Sequence, residues 1–216
     1  MKEQHLILDL LSIGGTTSIA LPLLIGLIRF KRLRFSEKLL LLLFFSGILA
    51  DSLGWYLRLH HSSNQLMYHI YTAVEFAIIS YYFILLIDLR WMKRVILFML
   101  LPFTILFIFD IRSILRLTDN SPTTSFEGTS VILYCIAYFY SLLRDPVYSN
   151  ILDAPRFWFV SSFLLYFAGT LFIFIFSSYL LENAVSTARM LWGINSVVSI
   201  VSYLLFSVGF IKVKKR

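Results

Sequence analysis

Residues 38–55 read KLLLLLFFSGILADSLGW, and their reading decides the fold. Twelve residues without a charge, Leu39 to Ala50, run up to Asp51, and Trp55 and Tyr56 follow it. Continued to Leu59, the run has the length of a helix that crosses a bilayer, whose hydrocarbon core takes about 20 apolar residues. An acid inside such a run needs a reason.

Composition makes lipid the solvent. Of 216 residues, 59% are hydrophobic, 17% aromatic and only 14% charged, against roughly 25% charged in a soluble domain. Too few polar side chains exist to cover a water-facing surface. The single cysteine, Cys135, leaves no internal disulfide and reads as a small apolar core residue. The net charge of +7 does not imply nucleic acid, because the basic residues lie between apolar runs and at the C-terminus, where they set membrane topology.

Uncharged runs of membrane-crossing length predict an all-α bundle of seven transmembrane helices, near 6–29, 39–59, 68–88, 94–111, 125–143, 157–181 and 189–211. The connections are short, so residues 1–216 form one membrane domain. Thr124 with Glu127 has capping-box spacing before the fifth helix, and Asp153-Ala154-Pro155 is an entry signal for the sixth. Pro22 and Pro102 predict kinks in the first and fourth. The SIA at 18–20 resembles a cleavage site, but the apolar run continues to Ile28, and we read a retained span. Fourteen of the nineteen lysines and arginines fall on one set of connections, among them Arg29, Lys31, Arg32, Arg34, Arg90, Lys93 and the tail Lys212 to Arg216. Positive-inside bias then places the N-terminus outside and the C-terminus in the cytoplasm. Trp55, Trp91, Trp158 and Trp192 fall near helix ends, as interfacial anchors do.

The chain also echoes itself. RFSEKLLLLLFFSGIL (34–49) and RFWFVSSFLLYFAGTL (156–171) agree at seven of sixteen positions, including Arg34/Arg156 and Gly47/Gly169. A duplication would give halves 6–88 and 125–211 joined by the linker helix 94–111, a 3+1+3 parallel repeat with its site between the halves.

Asp51 and Glu75 both fall roughly 10–12 Å below the outer boundary at about 1.5 Å per residue, on consecutive helices. Asn195 in the last helix has a similar depth. At helical spacing Asp51 has Trp55 and Arg58, Glu75 has Tyr71, and Asn195 has Trp192. Ser46, Ala50 and Gly54 make a small-residue ridge that lets another helix approach. Charged groups at depth cost roughly 2.5–3.5 kcal/mol on insertion scales, so an acid pair there points to function ahead of helix pinning. The candidate ligand-binding set is therefore Asp51, Glu75, Asn195, Trp55, Arg58, Tyr71 and Trp192. His60, His61 and His69 lie near the outer surface, match no zinc spacing and read as loop histidines. Neither a catalytic residue nor a metal or cofactor is assigned.

PRFWFVSSFLLYFAGTLFIF (155–174), LWGINSVVSIVSYLLFSVGF (191–210) and YTAVEF (71–76) resemble small seven-helix proteins of Bacteroidetes-type bacteria, similar in turn to membrane-sensor domains without their kinase. The resemblance covers mainly the last two helices and implies a sensory role and a bacterial cytoplasmic membrane. It carries over no site residue. The expected function is a receptor-like binding module: an outward-facing polar pocket takes a small ligand, and a cytoplasmic signalling protein is the partner. A compact small-solute or proton-coupled transporter is the alternative. An intramembrane lipid hydrolase using Asp51 and Glu75 ranks behind both, having no nucleophile or metal set beside the acids.

Overall fold

Helices make up every regular element of the computed structural model, which describes residues 2–114, 122–144, 150–183 and 185–214, with side chains except at 2–7, 9, 112–114, 173–183 and 185–192. They are α1 (Lys2–Thr17), α2 (Ala20–Ile28), α3 (Phe35–Leu59), α4 (Gln65–Leu86), α5 (Arg90–Ile114), α6 (Pro122–Arg144), α7 (Pro155–Asn183) and α8 (Val185–Lys212). Among the described residues six segments are long and apolar enough to cross a bilayer: Leu10–Ile28, α3, α4, Arg90–Ile111, α6 and Gly193–Lys212. The 29-residue α7 has the length of a seventh. This is the make-up of a multi-pass integral membrane protein.

Local chemistry sets the helix ends. The first span is not the single helix expected over 6–29. Pro22 has no N–H to give the Ser18 carbonyl, so the ladder breaks there. Leu21 N donates to that carbonyl instead, at 3.1 Å, and the Ser18 hydroxyl turns back to Gly15 O at 2.7 Å. Pro102, by contrast, sits inside a continuous α5. α3 starts earlier than expected because the Glu37 carboxylate accepts from Arg34 N at 2.7 Å, closing a capping box. The box expected at Thr124 and Glu127 is not the start of α6. The helix opens two residues before Thr124, at Pro122, and the buried Asp110 carboxylate of α5 accepts from both Thr123 N and Thr123 Oγ1. Pro155 opens α7 as expected, after a short 3-10 turn at Ile151–Asp153.

The helices gather into two compact units, Leu33–Val147 and the pairing of Met1–Arg32 with Tyr148–Arg216. This grouping differs from the 6–88 and 125–211 halves drawn by the sequence echo.

In the unit of α1, α2, α7 and α8, α8 is the common partner, packing against the other three. Phe159 and Phe163 of α7 meet Phe210 and Phe206 of α8 edge-on, each pair at 4.9 Å. A Cβ on Gly209 would collide with the Phe159 ring, so only glycine lets the ring lie on the α8 backbone. At the basic end, Arg29 Nη1 donates to the carbonyls of Ile211 at 2.6 Å and Val213 at 3.2 Å, satisfying acceptors that a helix C-terminus leaves open. Lys212 pairs with Asp153 at 3.1 Å nearby.

In the unit of α3 to α6, α4 packs against all three others. Phe76 is its buried centre: it stacks on Phe103 of α5 at 4.2 Å and meets Phe126 and Tyr134 of α6 at 6.4 and 6.3 Å. The small-residue ridge of α3 does what its composition predicts. Ala50 and Gly54 are buried, and a Cβ on Gly54 would fall 2.5 Å from the Tyr68 hydroxyl of α4.

Candidate functional site

Asp51 is held by the middle of α3, one turn before Gly54, where the close approach of Tyr68 brings α4 alongside. It is half-buried, and its carboxylate lies within electrostatic reach of Arg58, Tyr68 and Glu75. Glu75, ten residues into α4, takes a hydrogen bond from Tyr71 one turn earlier, the i, i+4 partner expected on a helix. Asp51, Arg58, Tyr71 and Glu75 therefore come together in one unit.

The other expected residues stand apart. Trp55 is 61% exposed, on an outer face of α3, where an interfacial anchor belongs. Asn195 is on α8, in the other unit, and its Oδ1 is buried without a hydrogen-bond partner. The side chain of Trp192 lies outside the described residues.

Two residues go beyond the sequence reading. Glu127 is 2% exposed, its Oε1 has no hydrogen-bond partner, and its carboxylate lies within electrostatic reach of Glu75 across the α4–α6 packing. Its spacing held the signal. Glu127, Val131, Tyr134 and Tyr138 follow one another at helical intervals and all four are buried, so the glutamate belongs to the inward stripe of α6. The capping-box pattern hid this by assigning Glu127 to the helix start.

His69 is the second. α4 starts at Gln65, three residues ahead of the expected boundary, and His69 lies in its second turn, a helix residue and not a loop one. It is 4% exposed, its ring stacks on Phe107 at 4.3 Å, and its Nε2 lies 3.0 Å from the Phe107 carbonyl. Since a carbonyl only accepts, Nε2 carries the proton. That bond fastens α4 to α5 and leaves His69 occupied with structure. His60 and His61 are exposed in the α3–α4 turn. Among the described residues no group of three or more His, Cys, Asp or Glu has the arrangement of a metal site.

The chemistry offered is acidic and graded. Exposure falls from Arg58 through Asp51 and Glu75 to Glu127, so the positive charge lies at the open end and unpaired acid at the closed one. Such a row favours cations and hydrogen-bond donors. The chain matches no protein-family model, no curated protein and no solved structure.

Proposed function

We propose that this protein is a receptor-like membrane binding module whose polar row takes a small ligand from outside and signals to a separate cytoplasmic partner. The observation that carries the reading is Asp51 of α3, half-buried and within electrostatic reach of Glu75 of α4, with Glu127 of α6 buried behind them in the same unit. Three acids are costly to hold in hydrocarbon, and a fold that only needed helix contacts would do better without them. The reading includes an outside N-terminus, a bacterial cytoplasmic membrane and the ancestral duplication of helices. The duplication requires Gly47 and Gly169, and Arg34 and Arg156, to lie at matching membrane depths, and an experimental structure placing them a turn or more apart would remove it.

The test is a ligand screen on the purified chain in nanodiscs, read as a thermal shift. A solute that binds only the folded state stabilises it by about 2.7 kcal/mol at one hundred times its Kd. Asp51→Asn should melt as the wild type does alone and lose that shift. Equal shifts in both proteins would place the ligand elsewhere. Transport is the second reading, favoured by acids that penetrate to a fully buried position. Solute accumulation in proteoliposomes, abolished by Asp51→Asn, would replace the receptor reading with it.

A further inference from the structure

Glu127 has no role in ligand capture from outside: it is 2% exposed, so a solute reaching Asp51 does not reach it. Its neighbours describe a different site. The residues after Glu75 and before Glu127, Phe76 and Phe126, have ring centroids 6.4 Å apart, which fixes how closely α4 and α6 approach at this level. With Glu127 Oε1 unpartnered and the Glu75 carboxylate within its electrostatic reach, two carboxyl groups share one apolar seam. Farther along the same seam, Ser80 of α4 and Tyr134 of α6 bring two more hydroxyls together, 1% and 3% exposed. Both helices run in the same sense here, since Ser80 follows Glu75 and Tyr134 follows Glu127. Polar atoms therefore continue from the acids along the α4–α6 seam.

Two carboxylates facing each other in low dielectric require a positive charge between them. The arginine of the row, Arg58, is exposed and lies beyond Asp51. Of the groups on the packed elements, Asp51 is another acid, and Tyr68 and Tyr71 are neutral donors. His69 is bound to the Phe107 carbonyl, Asp110 to Thr123, and Tyr134 and Cys135 are buried and neutral. None of these described groups supplies a cation. Phe76 stacks on Phe103 and meets Phe126, so the neighbouring seam is apolar, and a proton is the cation that needs the least room there.

We propose that Glu75 and Glu127 form a dyad that binds one exchangeable proton between their carboxyl groups. The proton enters by way of Asp51 and forms an O–H bond on one glutamate, hydrogen-bonded to the other. The pair then carries one negative charge in place of two. This inference does not depend on the ligand-binding reading.

The test uses the full chain in nanodiscs with its glutamates labelled at the side-chain carboxyl carbon, followed by carbon NMR across a pH titration. There are five glutamates, and Glu75→Gln and Glu127→Gln assign the two that matter. In the wild type both signals should respond to both protonation steps, as coupled sites do. Removing either glutamate should change the proton affinity of the other tenfold or more. Asp51→Asn should leave that coupling in place. Two glutamates that stay ionised at every pH in the wild type would overturn the proposal without any variant. So would signals that titrate independently. Midpoints that move when sodium replaces choline at constant ionic strength would also overturn it, by assigning the pair to a metal cation.

Discussion

His61 has a φ of 53°, the one positive value among described residues other than glycine. It follows the last residues of α3 in a turn where His61 N donates to Arg58 O at 3.1 Å and Ser62 N to Leu57 O at 3.0 Å. Those two bonds are the reciprocal pair that closes a helix in the Schellman arrangement, whose left-handed position glycine usually fills. A side chain there costs roughly 1–2 kcal/mol, partly recovered because glycine has more freedom to lose on folding. His61→Gly should therefore stabilise the protein by about 0.5–1 kcal/mol, and His61→Val, β-branched and poorly suited to positive φ, should destabilise it. Thermal denaturation in detergent checks both. A His61→Gly protein less stable than the wild type would mean that the imidazole has contacts of its own. The same scale shows why single residues were hard to read in advance. Arg29 counted only as a charge for topology, yet its guanidinium caps α8. Glu127 fits a helix-start pattern by spacing alone, and only the true start of α6 at Pro122 shows that it points inward.

Helices as elements were legible because a bilayer leaves the backbone almost no alternative: every N–H and C=O must find a partner within the span. Asp153 and Pro155 announced the start of α7 through chemistry that acts within a few residues. What did not show was anything decided between helices. The Asp110–Thr123 cap joins positions 13 apart and has no periodic signature. Gly209 looks like any small residue until Phe159 is seen lying on it. That contact makes a specific prediction about the α7–α8 pair. Gly209→Ala pushes a methyl group into a buried ring and should cost roughly 1–3 kcal/mol, the usual range for overpacking. Phe159→Leu alone should also destabilise, by opening space under α7. Combined, the two changes should cost clearly less than their sum, because the smaller side chain makes room for the methyl. Unfolding free energies in mixed micelles would measure the four corners of this cycle. Strict additivity would mean that α7 and α8 are held together elsewhere.

For the molecule as a whole, the row of acids was half visible. Asp51 and Glu75 stand out because charge inside a greasy run has no local explanation, while Asn195, grouped with them only by counting along the sequence, belongs to a different compact unit. Depth along a helix can be counted from the sequence. Which helices pack together cannot, since it depends on ridges such as Ala50–Gly54 meeting the right partner. The distribution of charge is a property of the whole chain and gives its own prediction. If the basic connections face the cytoplasm, the α3–α4 turn lies outside and the α4–α5 connection inside. The sole cysteine, Cys135, is fully buried in α6, so cysteines introduced at exposed positions can be read against a low background. Ser62 and Asp88 are both exposed, at opposite ends of α4. In intact bacterial cells a membrane-impermeant maleimide should label Ser62→Cys at once and Asp88→Cys only after the membrane is opened. The reverse pattern would invert the molecule and turn the Asp51 row toward the cytoplasm. Labelling of both from outside would mean that α4 does not cross the bilayer. Either result would remove the outward-facing site, while the expected one places the three acids on the side from which a ligand or a proton arrives.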